Sequence, residues 1–177
     1  MPSGRTHDAI TFLLAAPAFA LTYGVIGGIP EASTVAGAFI FGGLMFGPDL
    51  DTVSRQYSRW SIFRLLWFPY RSFFKHRSRF SHGLLFGALI RVVYFLGIIT
   101  LIGFLAVYCA AAFSGGQLPG VEQIANVWRP VGDMTRDLLG QNFPVLIFFG
   151  LWLGAASHTF TDMAGSYVKT GRVAKFL

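Results

Sequence analysis

The chain of 177 residues is 54% hydrophobic and only 12% charged, with a formal net charge of +6. Soluble domains carry about 25% charged residues, so this composition excludes an ordinary soluble globule and indicates an all-α, polytopic membrane helix bundle. With Cys109 the single cysteine, a disulfide framework and a CxxC zinc site are also excluded.

Any bound metal must therefore be held by imidazole and carboxylate, a donor set that suits a divalent Zn, Mn or Fe. No linker and no internal repeat divides the chain, which reads as a single membrane-embedded metal-binding domain over residues 1–177.

A polar lead containing Arg5, His7 and Asp8 precedes Ala9 to Gly28, an uncharged run long enough for one span. A signal peptide would have a shorter apolar part and a more basic start, so the run reads as a retained helix. Pro17 is expected to bend it. Ile29-Pro30-Glu31 forms a tight turn, and Ala32 to Gly47 reads as a second, short span ended by Pro48. Asp49-Leu50-Asp51 follows. If this tripeptide is extended, its period of two turns both carboxylates to one side, where they face one cation.

From Thr52 to Ser81 arginines and lysine alternate with aromatic residues, among them Trp60, Trp67 and Tyr70. Arg59 to Phe68 is expected to form an amphipathic helix broken at Pro69. Such basic and aromatic interleaving describes a segment lying in the headgroup layer, with membrane lipid as its partner. The flanking spans weigh against nucleic-acid stacking, and no nucleic-acid partner is expected. Gly83 to Phe113 is a third span whose one charge, Arg91, is expected to snorkel back to the basic side. Ser114 to Asn142 is a polar connection with an amphipathic helix of mixed charge, read as a solvated face. Phe143 to Met163 is the fourth span, and the tail is basic.

Four spans place both termini and residues 49–82 on one membrane face. That face collects Arg5, the cations of the central segment and the tail cations, whereas the opposite face has only Arg129 and Arg136. The positive-inside rule makes the first face cytoplasmic. Independently, His7, Asp49, Asp51, His76, His82, His158 and Asp162 all fall on that face. GxxxG pairs such as Gly24/Gly28 and Gly150/Gly154 indicate close helix packing.

His158 and Asp162 have i,i+4 spacing and share a helix face, as a ligand pair or as a hydrogen-bonded couple between helices. His82 opens a span and is a candidate ligand; His76, six residues earlier, is either a second ligand or an interfacial residue. The gathering of every histidine and several acids at one face favours a metal centre over a purely structural polar network. One of Asp49 or Asp51 is a candidate general base. Arg77 and Arg79 are placed to clamp phosphate oxygens, or else to anchor the chain to anionic lipid.

Taken together, His7, Gly47-Pro48-Asp49-Leu50-Asp51, the stretch from His76 to Gly83, and His158-x-x-x-Asp162 resemble a family of uncharacterised predicted metal-binding membrane proteins common in cyanobacteria. That family is similar to the YdjM-like inner-membrane predicted metal-dependent hydrolases, which carry Pro-Asp-x-Asp, His-Arg-x-x-Thr-His and a late His/Asp pair. Here Ser81 stands where that pattern has threonine, and the His76–His82 spacing is one residue longer. More remotely, the order of ligands is similar to that of the all-α zinc phospholipase C and single-strand nuclease group. On that analogy His7, Asp51, His82, His158 and Asp162 are ligands. The further late ligands of a three-zinc centre are missing.

The resemblance implies a metal-dependent hydrolase, zinc being the leading metal, in a bacterial inner (plasma) or thylakoid membrane. A phosphoester or lipid headgroup is the expected substrate. The alternative is a non-enzymatic metal-binding accessory or assembly subunit of a larger membrane complex.

Overall fold

The computed structural model describes residues 3–74, 83, 86–115, 117–118 and 120–171, and every regular element among them is helical. Helix α1 (Gly4–Ile26) starts ahead of the apolar run because the Ser3 hydroxyl caps it, accepting from the Thr6 amide at 3.3 Å. Extending the helix through the polar lead puts His7 in register with Thr11 and Ala15, and these form its buried face. Gly27, at φ 82°, closes the helix in the left-handed conformation.

Helix α2 (Ile29–Met45) lies between α1 and the last helix, called α7 below, and buries Ala32, Val35, Phe39, Gly42 and Gly43. A 3-10 turn (Pro48–Asp51) follows, then α3 (Arg55–Arg59), a second 3-10 stretch (Ser61–Trp67) and α4 (Phe68–Phe73). Pro69 begins α4 instead of breaking a longer helix, since its missing N–H costs nothing in the first turn.

Part of this central segment is core and not surface. Trp60, Trp67 and Tyr70 are buried in one aromatic cluster with Phe46. Phe46 and Trp67 meet edge to face with centroids 5.6 Å apart. Among its described large apolar residues Val53, Ile62, Phe63, Leu65, Phe68 and Phe73 are exposed. The segment is folded back under α2, whose C-terminal carbonyls it caps. Gln56 Nε2 donates to Gly43 O, Arg59 Nη1 to Leu44 O and Trp60 Nε1 to Met45 O, at 3.0–3.1 Å. Those carbonyls have no partner within the helix, so the caps explain the fold-back.

Helix α5 (Phe86–Phe113) packs through its first turns, where Gly87, Ala88, Arg91 and Val92 are buried. An amphipathic helix α6 (Val121–Leu139) connects it to α7 (Phe143–Thr170). Among the described residues α1, α5 and α7 are long and apolar enough to cross a membrane, while α2, at 17 residues, is shorter.

Along α7 the inward stripe is Leu146, Gly150, Gly154, His158 and Asp162, one residue every four. Its glycines let α2 approach to backbone distance. A Cβ on Gly154 would sit 2.0 Å from Phe39 O, and one on Gly150 would sit 2.7 Å from Val35 O. The same stripe that closes this crossing ends in the two polar residues of the site.

Candidate metal centre

Three chain segments far apart in sequence meet at one end of the bundle. α1 brings His7, α7 brings His158 and Asp162, and the 3-10 turn after α2 brings Asp49. His7 Nε2 is 3.2 Å from Asp162 Oδ1, and His158 Nε2 is 3.8 Å from Asp162 Oδ2 and 3.6 Å from Asp49 Oδ2. The two imidazoles are stacked, with centroids 3.7 Å apart and planes within 8°.

His7, His158 and Asp162 are buried, and each offers one donor atom within 4.8 Å of those of the other two. His158 Nε2 and Asp162 Oδ1 are sealed from solvent with no hydrogen-bond partner of good geometry. Buried polar atoms of this kind are costly unless something satisfies them. Donors about 2.1 Å from a tetrahedral cation stand roughly 3.4 Å apart, and the observed separations bracket that value. Two imidazoles and a carboxylate therefore fit a divalent cation. Asp49 is the one member with an open flank, its side chain 37% exposed.

The Asp49-Leu50-Asp51 tripeptide is not extended, so a period of two does not turn its carboxylates to one side. The tripeptide is a 3-10 turn and not a strand, and in a three-residue turn positions two apart diverge. Asp49 lies toward His158 and Asp51 is buried, and both are within electrostatic reach of Arg91.

Arg91 is 0% exposed and lies beside Tyr70, contrary to the snorkelling expectation. A buried guanidinium is tolerated only with compensating partners, and Asp51 and Tyr70 are those neighbours. Burial pushes the Tyr70 hydroxyl above its ordinary range, and Arg91 pulls it part of the way back.

His76, His82, Arg77 and Arg79 lie outside the described residues. Two other participants carried no sequence signal. Gln56, buried, places its Nε2 3.0 Å from His158 Nδ1 while donating to Gly43 O, and so holds the ring against the end of α2. Asp8, next to His7, takes an ion pair from Arg59 and ties the start of α1 to α3. His7 next to Asp8 was the one available hint.

The family model described as "Uncharacterized metal-binding protein (DUF2227)" matches residues 2–172. No curated protein and no solved structure matches the chain.

Proposed function

From the premise that the chain belongs to this uncharacterized metal-binding protein family, we propose that it is a metal-dependent hydrolase working at one face of a membrane on a phosphoester or lipid headgroup. The carrying observation is the contrast in burial within the cluster. Three ligating side chains are sealed in protein, and Asp49 stands at their edge with one flank open. Three protein donors with an accessible side is the arrangement of a catalytic site, whereas structural sites are closed by four.

His7, His158 and Asp162 would hold the cation, zinc being preferred over Mn or Fe for a set of two imidazoles and a carboxylate. A cation held there supplies Lewis-acid polarisation and lowers the pKa of a water. Asp49, oriented by the turn, is the proton acceptor. Asp51 balances Arg91 and keeps the turn in place. His76 and His82 are further ligand candidates, and Arg77 and Arg79 are candidates for contact with phosphate oxygens.

In this reading α2, about 26 Å long, is the fourth span, and its capped end stops at the headgroup level. The outward Ile62, Phe63, Leu65 and Phe68, with Arg64, lie in the headgroup layer. The excess of cations at this end supports a cytoplasmic site in a bacterial inner or thylakoid membrane.

The test is hydrolysis of phosphomonoester, phosphodiester and phospholipid substrates by metal-loaded protein. Activity should vanish on chelation, return with metal, and fall with Asp49→Asn. Metal-loaded protein inert toward every class would overturn the enzyme reading. That result would favour an accessory or assembly subunit, a reading which the open side of α5 supports, since a Cβ on Gly97 or Gly103 would meet nothing within 4 Å.

A further inference from the structure

Helix α6 is the element the metal centre leaves unused. Trp128, Val131, Thr135 and Leu138 recur on one side, joined by Met134. Glu122, Asn126, Arg129, Asp133, Arg136 and Asp137 occupy the other. This is the segregation of an amphipathic helix. A bundle helix with such a face covers it with protein, but here Trp128 is 44%, Val131 46%, Met134 59% and Leu138 67% exposed. The polar side is tied within itself, Arg136 Nη1 lying 2.8 Å from Asp133 Oδ1. Contact with the bundle is made at the C-terminal end, where Leu139 lines a groove against α2 and α5 and Gly140, at φ 89°, turns the chain close to Glu31.

Connectivity decides where this helix lies. α5 ends at Phe113 and α7 begins at Phe143, and both are candidate spans. The start of α5, with Arg91 near Asp51, and the end of α7, with His158 and Asp162, belong to the metal-centre end. α6 therefore joins these two spans at the other end, held at both of its termini where they leave the membrane. An exposed apolar stripe in that position meets lipid.

We propose that α6 lies flat in the headgroup layer of the leaflet opposite the metal centre, with Trp128, Val131, Met134 and Leu138 in lipid and the Asp133–Arg136 side in water. Trp128 is the residue type enriched at that depth. Pro130 falls on the polar side, so the Asn126 carbonyl that it deprives of a helical bond is turned toward water. The polar side has two arginines against Glu122, Asp133 and Asp137 and no lysine. Attachment is therefore by apolar burial and not by attraction to anionic lipid.

The test uses spin labels placed singly on Cys109→Ala protein in phosphatidylcholine–phosphatidylglycerol vesicles, at Val131→Cys, Met134→Cys and Leu138→Cys and at Arg129→Cys, Asp133→Cys and Asp137→Cys. The ratio of collision with oxygen to collision with a water-soluble nickel chelate should be several-fold higher in the first set, and it should be unchanged by added salt. A flat ratio across both sets means a solvated helix and overturns the proposal. Shielding of the first set from both probes means that a second copy or another protein covers the face, and also overturns it. A milder variant guards against misfolding: brominated acyl chains should quench a fluorescence component of the native protein that Trp128→Phe lacks, and equal quenching would contradict the proposal.

Discussion

Replacing Gly154 by alanine adds one methyl group at the closest approach of α2 and α7. The new Cβ would lie 2.0 Å from Phe39 O and 2.8 Å from Gly43 N, both backbone atoms that cannot turn aside. Ordinary contact begins near 3.4 Å, so the helices must separate by roughly 1.4 Å or the methyl must distort one of them. Overpacking of this kind costs typically 1–3 kcal/mol, and here the upper half is expected because backbone has no rotamer to yield. About 2–3 kcal/mol corresponds to a fall in melting temperature of roughly 4–12 °C for a chain of this size.

The displacement also propagates, since His158 is the next residue along the same stripe. Metal affinity should therefore drop together with stability. The assay is thermal melting of detergent-purified protein alongside metal titration, with Gly37→Ala as control. A Cβ on Gly37 meets nothing within 4 Å, and alanine there should be neutral or stabilising by a few tenths of a kcal/mol to about 1. Equal melting of the two variants would refute the packing argument. Lowered melting with unchanged metal affinity would refute the link from crossing to site.

Gln56→Leu should lower metal affinity and melting temperature together, since the amide holds both the Gly43 carbonyl at the end of α2 and the ring of His158; titration with zinc beside thermal melting reads it. Arg91→Met should lower the melting temperature, because Tyr70, Asp51 and Asp49 all lie within the electrostatic reach of this buried cation; melting equal to that of the native protein would contradict this. Because Tyr70 ionises above its ordinary value of about 10, its contribution is complete below that pH and is lost as pH rises through the folded-state value. Tyr70→Phe should flatten the alkaline limb of the stability profile.

The meeting of His7, His158 and Asp162 is legible in the amino-acid sequence. The i,i+4 spacing of His158 and Asp162 on one helix leaves little freedom, and α1, starting at Gly4, carries His7 to their end of the bundle. What is not legible there depends on which surface an element turns inward. The same amphipathic aromatics serve a headgroup layer and a core, so composition could not show that Trp60, Trp67 and Tyr70 fold under α2. Snorkelling of Arg91 assumed lipid around it, and only the fold brings the distant Asp51 to its side. Spacing alone likewise did not distinguish glycines. Gly24 has open space around it, whereas Gly150 and Gly154 touch the backbone of α2. Gln56 resembled any polar residue of a charged segment until the C-terminal carbonyls of α2 gave it a place.

Metal content of protein purified without chelator bears most directly on the central claim. The account predicts one divalent ion per chain in the native protein, a large loss in each of His7→Ala, His158→Ala and Asp162→Asn, and a retained ion in Asp133→Asn on the remote helix α6. Native protein with no stoichiometric metal, or full occupancy in all three site variants, would contradict it.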